Sequence, residues 1–174
     1  MNPLEIVGHI EIPPAALRHA HVAEALAAAV QTAERDEIGD RVLGTENSRQ
    51  VELCGWGTNV PVHHDCTGYV YLVALNAGAT RLFCMHDMPG EDSDCDEGQE
   101  ACVDLQPGMV VRLDDNYLHW TEDSCTRIAA FVGSFDAPCD ELAVAQLRIG
   151  VDALARGTAQ APRVIPQLQM RLAA

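Results

Sequence analysis

Residues 68–86 read GYVYLVALNAGATRLFCMH. Two apolar runs, rich in β-branched and aromatic residues, flank the turn sequence Asn76-Ala77-Gly78, which is the pattern of two short strands joined by a turn. The first run, Tyr69–Leu75, is apolar at successive positions rather than at alternate ones. We therefore expect both faces of this strand to be covered, as in the centre of a sheet that lies between other layers.

The same pattern of short apolar runs and turn residues extends in both directions. The region 49–135 contains eight candidate strands, each bounded by turn residues. They are Arg49–Trp56, Asn59–Asp65, Gly68–Asn76, Thr80–His86, Glu100–Leu105, Met109–Asp114, Tyr117–Glu122 and Arg127–Phe135. Many short strands at even spacing indicate a β-barrel or a two-sheet sandwich.

Helical patterns lie outside this region. Residues 13–35 begin with two prolines and carry apolar residues at helical spacing, which predicts an amphipathic N-terminal helix. Residues 137–157 carry Pro138, Asp140 and Glu141 near their start, and a proline and acidic residues in the first turn favour a helix start. A stripe there predicts the packed face of a C-terminal helix: Leu142, Ala145, Ile149 and Ala153. Residues 158–174 are expected to form an irregular tail, and the length of 174 residues fits a single domain.

Charge and composition narrow the class of protein. The chain has 26 acidic and 11 basic side chains, no lysine and a formal net charge of −15, so we expect no nucleic acid partner. Because apolar runs are short and the N-terminus lacks a signal-peptide pattern, we expect a cytoplasmic protein that binds no membrane. The seven cysteines form no Cys-x-x-Cys pair, which favours reduced thiols. Cys95 and Cys102 flank an acidic stretch and could close a small loop.

Candidate metal ligands lie in the second and seventh predicted strands. The sequence His63-His64-Asp65 is followed, 54 positions after the aspartate, by His119. Side chains alternate along an extended segment, so His63 and Asp65 share one face and His64 points to the other. Two imidazoles and one carboxylate can occupy one face of an octahedral ion and leave three positions open, which suits non-haem Fe(II). We therefore predict His63, Asp65 and His119 as catalytic metal ligands; strand-end histidines that only satisfy backbone groups are the alternative.

The segment from Val51 to Phe135 resembles the double-stranded β-helix core of the 2-oxoglutarate- and Fe(II)-dependent dioxygenases, a cupin-like superfold. The resemblance depends on the order and spacing of several short matches rather than on any one of them. The matches are His63-x-Asp65, residues 105–113 (LQPGMVVRL), Leu118-His119-Trp120 and Arg127. The resemblance implies a mainly β jelly-roll barrel with a helix at each end, and three metal ligands that meet at one mouth of the barrel.

The family resemblance also implies an activity, namely hydroxylation of a substrate with O2 while 2-oxoglutarate is converted to succinate and CO2. Arg127 would bind the distal carboxylate of 2-oxoglutarate, since a guanidinium offers two donors to two carboxylate oxygens. Arg81 is the alternative anchor, and Tyr71 would either contact the co-substrate or pack in the core. An intact Asp65 favours hydroxylation over halogenation.

Two other classes of function remain open at this point. A cupin-type metalloenzyme would share the barrel and some ligands but would not use 2-oxoglutarate. A non-catalytic barrel would bind a small ligand without turning it over. The sequence does not name the substrate, and the small chain favours a small metabolite, an amino acid or a flexible peptide. Either terminal helix could bury its apolar stripe against a second copy, so a homodimer is also open.

Overall fold

The strands and helix of this chain come from a computed structural model that describes residues 2–16, 18, 41–43, 51–56, 59–85, 100–125 and 127–156. Within these ranges the chain forms short strands and one long helix, α1 (Asp140–Ala155). The strands are β1 (Leu4–His9), β2 (Arg41–Leu43), β3 (Val51–Trp56), β4 (Tyr69–Ala74), β5 (Thr80–Met85), β6 (Glu100–Asp104), β7 (Met109–Asp114), β8 (His119–Asp123) and β9 (Arg127–Phe135).

The strands are arranged in two antiparallel sheets. The larger sheet has the order β1-β7-β4-β9-β3-β2, and the smaller has the order β6-β5-β8. The segment 59–65 lies beside β8, where His63 forms an isolated bridge with His119. From β3 onward the chain passes between the sheets in the order typical of a jelly roll. The predicted mainly β jelly-roll fold is thus confirmed, although in the described ranges the sheets are separate ladders rather than a closed barrel.

The predicted elements agree with the structure in most places. Seven of the eight predicted strands are present, and the eighth, 59–65, carries the isolated bridge. Strands β1 and β2 were not predicted; β1 pairs with the edge of β7 through a register shift between Ile6 and Gly8, which hides its alternation. Residues 14–16 and 18 are helical, while the rest of the predicted N-terminal helix and the tail 158–174 lie outside the described residues. Of the two cysteines that could close a small loop, Cys102 carries a free thiol, and Cys95 lies outside the described residues.

Two apolar cores lie on opposite faces of the larger sheet. Tyr71 and Val73 pack in the core between this sheet and α1. Leu72 and Ala74, the alternate residues of the same strand, pack in the core between the two sheets. This confirms that both faces of the third predicted strand are covered. Burial of each Val or Leu side chain contributes about 1.5–3 kcal/mol, so the sheet is stabilised from both sides.

The helix α1 presents a different face to the sheet than the sequence predicted. Its buried residues include Leu147, Val151 and Leu154. Of the predicted stripe Ala153 is buried, whereas Leu142, Ala145 and Ile149 are exposed. Both faces of the helix carry apolar residues, and periodicity alone cannot decide which of two apolar faces will pack. Among the described residues, no helix has the length and apolar composition required to cross a bilayer.

The register between β5 and β8 defines the two ends of the sandwich. Cys84 pairs with His119 at one end, which we call the triad end. Thr80 pairs with Asp123 near the β4–β5 turn, at what we call the turn end. Four residues of antiparallel strand separate these pairs, a distance of about 13 Å.

Candidate metal centre

The backbone places the two predicted histidine ligands side by side. His119 is the first residue of β8, and its N–H donates to the carbonyl of His63 at 2.8 Å. The N–H of His63 donates in return to the carbonyl of His119 at 3.1 Å. Residues that exchange both bonds in an antiparallel ladder have side chains on the same face. The two imidazole centroids are accordingly 4.3 Å apart.

The third predicted ligand faces the same point. Asp65 Oδ2 lies 3.7 Å from His63 Nε2 and 4.0 Å from His119 Nε2. One ligand atom from each of the three residues lies within 4.8 Å of the others. Ligand atoms at about 2.1 Å from an ion are about 3 Å apart, so a small inward movement of the carboxylate would complete the set. The structure therefore brings His63, Asp65 and His119 together, and their donor atoms fit a divalent metal ion.

Backbone carbonyls fix the tautomer of both rings. Nδ1 of His63 lies 2.8 Å from the carbonyl oxygen of Pro61, and Nδ1 of His119 lies 3.0 Å from that of Tyr117. A carbonyl oxygen only accepts, so in each neutral ring Nδ1 donates its proton and Nε2 presents its lone pair. Metal-binding histidines are oriented in this way by their other ring nitrogen. The backbone pairing places the two rings on one face in either case, and it is the Asp65 carboxylate, within 4.0 Å of both Nε2 atoms, that favours a metal site over histidines that only satisfy backbone groups.

The environment of the triad is buried on one side and open on the other. His119 is 6% exposed, and its burial lowers the pKa of the imidazole, with a further lowering from the nearby His63. A lowered pKa keeps the ring neutral, which is the form that binds metal. The Asp65 side chain is 56% exposed, so solvent and small molecules reach the site from this side.

His64 lies outside the triad, as the alternation of side chains predicted. Its Nδ1 is 2.9 Å from the sulfur of Cys66, and both residues are exposed. The metal-ligand group that the structure brings together contains the residues on either side of it and not His64.

Arg127, the predicted anchor of 2-oxoglutarate, is directed toward the turn end. The residue is 0% exposed, and its Nε donates to Thr80 Oγ1 at 3.0 Å. Its Nη1 donates to the carbonyl of Asn76 and its Nη2 to the carbonyl of Gly78, the latter at 2.6 Å. Burial lowers the pKa of this guanidinium. The structure therefore uses Arg127 to fix the β4–β5 turn and does not bring it to the triad.

The other two predicted co-substrate contacts, Arg81 and Tyr71, lie away from the triad. Arg81 is exposed, and its Nε donates to Asp104 Oδ1 at 3.0 Å on the outer face of the smaller sheet. Its neighbour Leu82 faces the core between the sheets, so alternation turns Arg81 away from it. Tyr71 is fully buried against α1, where its hydroxyl donates to Asp140 Oδ1 at 2.8 Å and accepts from the Cys139 N–H at 2.7 Å. Neither side chain shares a space with the triad.

One residue that the sequence analysis did not single out contacts the loop that carries Asp65. Asp115, in the turn between β7 and β8, accepts hydrogen bonds from Thr67 and Gly68 through its carboxylate. In the sequence, Asp115-Asn116 lies between the candidate strands Met109–Asp114 and Tyr117–Glu122 and by itself indicates only a turn. The signal that could have found it is an acidic residue four positions before a predicted ligand, because Asp side chains commonly accept bonds from loop N–H groups.

No protein-family model matches this chain, and no curated protein sequence does either. The chain is similar to the solved structure of AviO1 from Streptomyces viridochromogenes, with 14% identity, a TM-score of 0.46, and coverage of 79% of this chain and 92% of that one. It is also similar to hydroquinone 1,2-dioxygenase from Sphingomonas sp. TTNP3, with 13% identity, a TM-score of 0.44 and coverage of 60% and 70%. A cupin-2 domain protein from Shewanella frigidimarina has 10% identity, a TM-score of 0.39 and coverage of 62% and 91%. At these values the similarity says nothing about the reaction, the metal or the substrate of this chain.

Proposed function

We propose that this protein is an Fe(II)-dependent oxygenase that oxidises a small molecule or a peptide with O2. The observation that supports it is the convergence of two Nε2 atoms and one carboxylate oxygen at a site where both Nδ1 atoms donate to backbone carbonyls. Three protein ligands leave three positions of an octahedral ion open, which is the arrangement that non-haem Fe(II) oxygenases use. Bound Fe(II) would supply the activation of O2.

The residues of the chain would perform the remaining tasks. The Pro61 and Tyr117 carbonyls hold the two rings, so that both Nε2 lone pairs face the same point. The Asp65 carboxylate would offset part of the metal charge, and its exposed side would be the direction from which the substrate approaches. Burial of His119 on the opposite side keeps water away from the ring.

We further propose 2-oxoglutarate as the co-substrate, with release of succinate and CO2 and hydroxylation of the substrate. Its support is the sequence resemblance in the segment from Val51 to Phe135. This version of the proposal requires a cationic or hydroxyl group near the triad to bind the distal carboxylate. Arg127 could bind that carboxylate only if its guanidinium broke its hydrogen bonds at the turn end and turned toward the space between the two sheets.

A second candidate is a cupin-type oxygenase that does not use 2-oxoglutarate. The observation that favours it is the set of three hydrogen bonds that commit Arg127 to Asn76, Gly78 and Thr80. With Arg127 so placed, the open metal positions would be left for O2 and for the substrate itself.

Metal binding is the first test of both candidates. Purified protein is titrated anaerobically with Fe(II), and we expect one ion per chain. His63→Ala and His119→Ala should each abolish tight binding, because each removes one of three ligands. His64→Ala is the matched control, since it removes a neighbouring imidazole outside the ligand group, and it should bind Fe(II) as the wild type does. Unchanged binding in both ligand variants would refute the site.

The use of 2-oxoglutarate is tested with the Fe(II)-loaded protein. Addition of 2-oxoglutarate without O2 should give a weak visible charge-transfer band if it chelates the ion. O2 consumption and succinate are then measured against a set of amino acids, peptides and small acids. Succinate formation coupled to substrate oxidation supports the 2-oxoglutarate version, whereas O2 consumption that is indifferent to 2-oxoglutarate supports the second candidate. Absence of O2 consumption with every compound would leave a ligand-binding protein and overturn both.

A further inference from the structure

A set of hydrogen bonds joins Asp115 to the loop 65–68, beside the triad. Asp115 is 2% exposed and precedes His119 by four positions in the turn between β7 and β8. The loop 65–68 begins with the ligand Asp65 and leads into β4. Asp115 thus stands between the segments that carry two of the three proposed ligands.

Four successive N–H groups of the loop donate to Asp115. The N–H groups of Asp65 and Cys66 donate to its carbonyl oxygen at 3.1 and 3.3 Å. Those of Thr67 and Gly68 donate to its Oδ1 at 2.8 and 2.7 Å, and the Thr67 hydroxyl donates to its Oδ2. The Asp115 N–H donates back to the carbonyl of Gly68 at 2.9 Å. The loop is wrapped around this one residue.

The backbone of the loop has a conformation that few alternatives would reproduce. Cys66 has a φ of 56°, in the left-handed region that non-glycine residues seldom adopt. Gly68 has a φ of 111°, and a Cβ at this position would lie 2.5 Å from the carbonyl oxygen of Phe135. Successive N–H groups that point inward form a concave site for an anion, and here those of Thr67 and Gly68 hold the Asp115 carboxylate, while those of Asp65 and Cys66 donate to its backbone carbonyl.

We propose that Asp115 is a positioning residue of the metal centre, which holds the Asp65 carboxylate in register with His119 without touching the ion. This inference rests on the proposed metal site. The Asp65 side chain is more than half exposed, so its position depends on the backbone that carries it. Metal ligands must be held within about 0.5 Å of the productive geometry, and supporting contacts supply this precision.

The test compares two carboxylates that are neighbours in sequence, Asp114 at the end of β7 and Asp115 in the turn that follows. Asp115→Ala removes the three bonds that the side chain accepts and keeps those to the backbone carbonyl. Asp115→Asn keeps an amide oxygen that can accept from Thr67 and Gly68. Asp114→Ala is the matched control, because its carboxylate accepts from Asn116 within the turn rather than from the loop. Each variant is titrated with Co(II) alone, followed by its visible spectrum, and unfolded thermally without metal.

We expect Asp115→Ala to weaken Co(II) binding by about 10–100-fold, which is the usual effect of losing a residue that supports a ligand. Asp115→Asn should bind Co(II) almost as tightly as the wild type does. Asp114→Ala should bind Co(II) as the wild type does, even if its melting temperature is lowered as much as that of Asp115→Ala. Wild-type affinity in Asp115→Ala, or an equal loss in Asp114→Ala, would overturn the inference. If Asp115→Ala does not fold, Thr67→Val takes its place, because it removes the hydroxyl that donates to Asp115. It should weaken Co(II) binding, and wild-type affinity in this variant would overturn the inference.

The outcome is separable from that of the proposed function. Absence of O2 consumption in a wild-type protein that binds Co(II) tightly would refute the oxygenase and leave the positioning role intact. Equal Co(II) affinities in the wild type and in Asp115→Ala would refute the positioning role and leave the oxygenase intact. A wild type that binds no metal ion at all would overturn both.

Discussion

Replacement of Arg127 by leucine separates a structural role of this side chain from a role in binding a co-substrate. In the structure the guanidinium donates to the carbonyls of Asn76 and Gly78 and to the hydroxyl of Thr80. Asn76 and Thr80 are buried, while Gly78 is exposed and its carbonyl can bind water after the change. Arg127→Leu therefore removes two charged hydrogen bonds that water does not readily replace.

The expected loss of unfolding free energy in Arg127→Leu follows from these contacts. A hydrogen bond to a charged group contributes about 1.5–3 kcal/mol, and the two buried ones together about 3–6 kcal/mol. Part of this is offset because a leucine does not have to be desolvated as the guanidinium does. We expect the free energy of unfolding to fall by about 2–4 kcal/mol, and the melting temperature by roughly 4–16 °C for a chain of this size.

Urea unfolding measures the loss of unfolding free energy. Arg81→Leu is the matched control, since it removes an exposed guanidinium from β5 of the smaller sheet, next to Thr80 at the same turn end. The control should change the free energy of unfolding by less than about 1 kcal/mol, as exposed ion pairs contribute little. Fe(II) affinity should be unchanged in both, because the turn end is about 13 Å from the triad end. A folded Arg127→Leu protein with wild-type stability, or one that loses 2-oxoglutarate binding selectively, would refute the structural role.

Three further predictions follow from burial and backbone geometry. Burial raises the pKa of Tyr71 from 10.0 to about 12, so the unfolded chain ionises first and the free energy of unfolding should fall as pH rises from about 10 to about 12. Tyr71→Phe should reduce this slope in urea titrations, the buried Cys84 thiol contributing the rest, and an unchanged slope would contradict it. Burial likewise raises the pKa of the Cys84 thiol to about 12, so iodoacetamide should label the exposed Cys66 well before Cys84 by mass spectrometry, and equal rates would count against the buried position. Gly68→Ala should lower the free energy of unfolding by about 1–3 kcal/mol, because its Cβ would press on the Phe135 carbonyl at a positive φ; a variant as stable as the wild type in urea would refute this.

Much of the fold could be predicted from the sequence because its signals are local. Alternating and continuous apolar runs between turn residues predicted the strands from β3 to β9, and the double-sided burial of β4 followed from Tyr69–Leu75. The strand β1 was missed because a register shift breaks its alternation. The strand β2 was missed because it has only three residues, too few to show an alternating pattern. The prediction of the packed face of α1 was wrong for Leu142 and Ile149, because the face that carries Leu147 and Val151 is equally apolar.

The site was predictable to the extent that it depends on backbone alternation. The shared face of His63 and Asp65, and the exclusion of His64, follow from the two-residue period of an extended chain. The direction of a long side chain does not follow from it: Arg127 lies in the expected strand, yet its guanidinium turns to the β4–β5 turn. The role of Asp115 depends on which loop lies against a turn, and this is decided by tertiary packing rather than by the residues around it.

The double exchange of hydrogen bonds between His63 and His119 has a consequence for the solubility of the protein. Strand β8 is the last full strand of the smaller sheet, and its outer backbone groups would be a template for pairing with another chain if the segment 59–65 moved away. A metal ion bound by both His63 of that segment and His119 of β8 would hold the segment against the strand. If the triad holds a metal ion as proposed, removal of that ion by a chelator should therefore promote self-association through the uncovered strand.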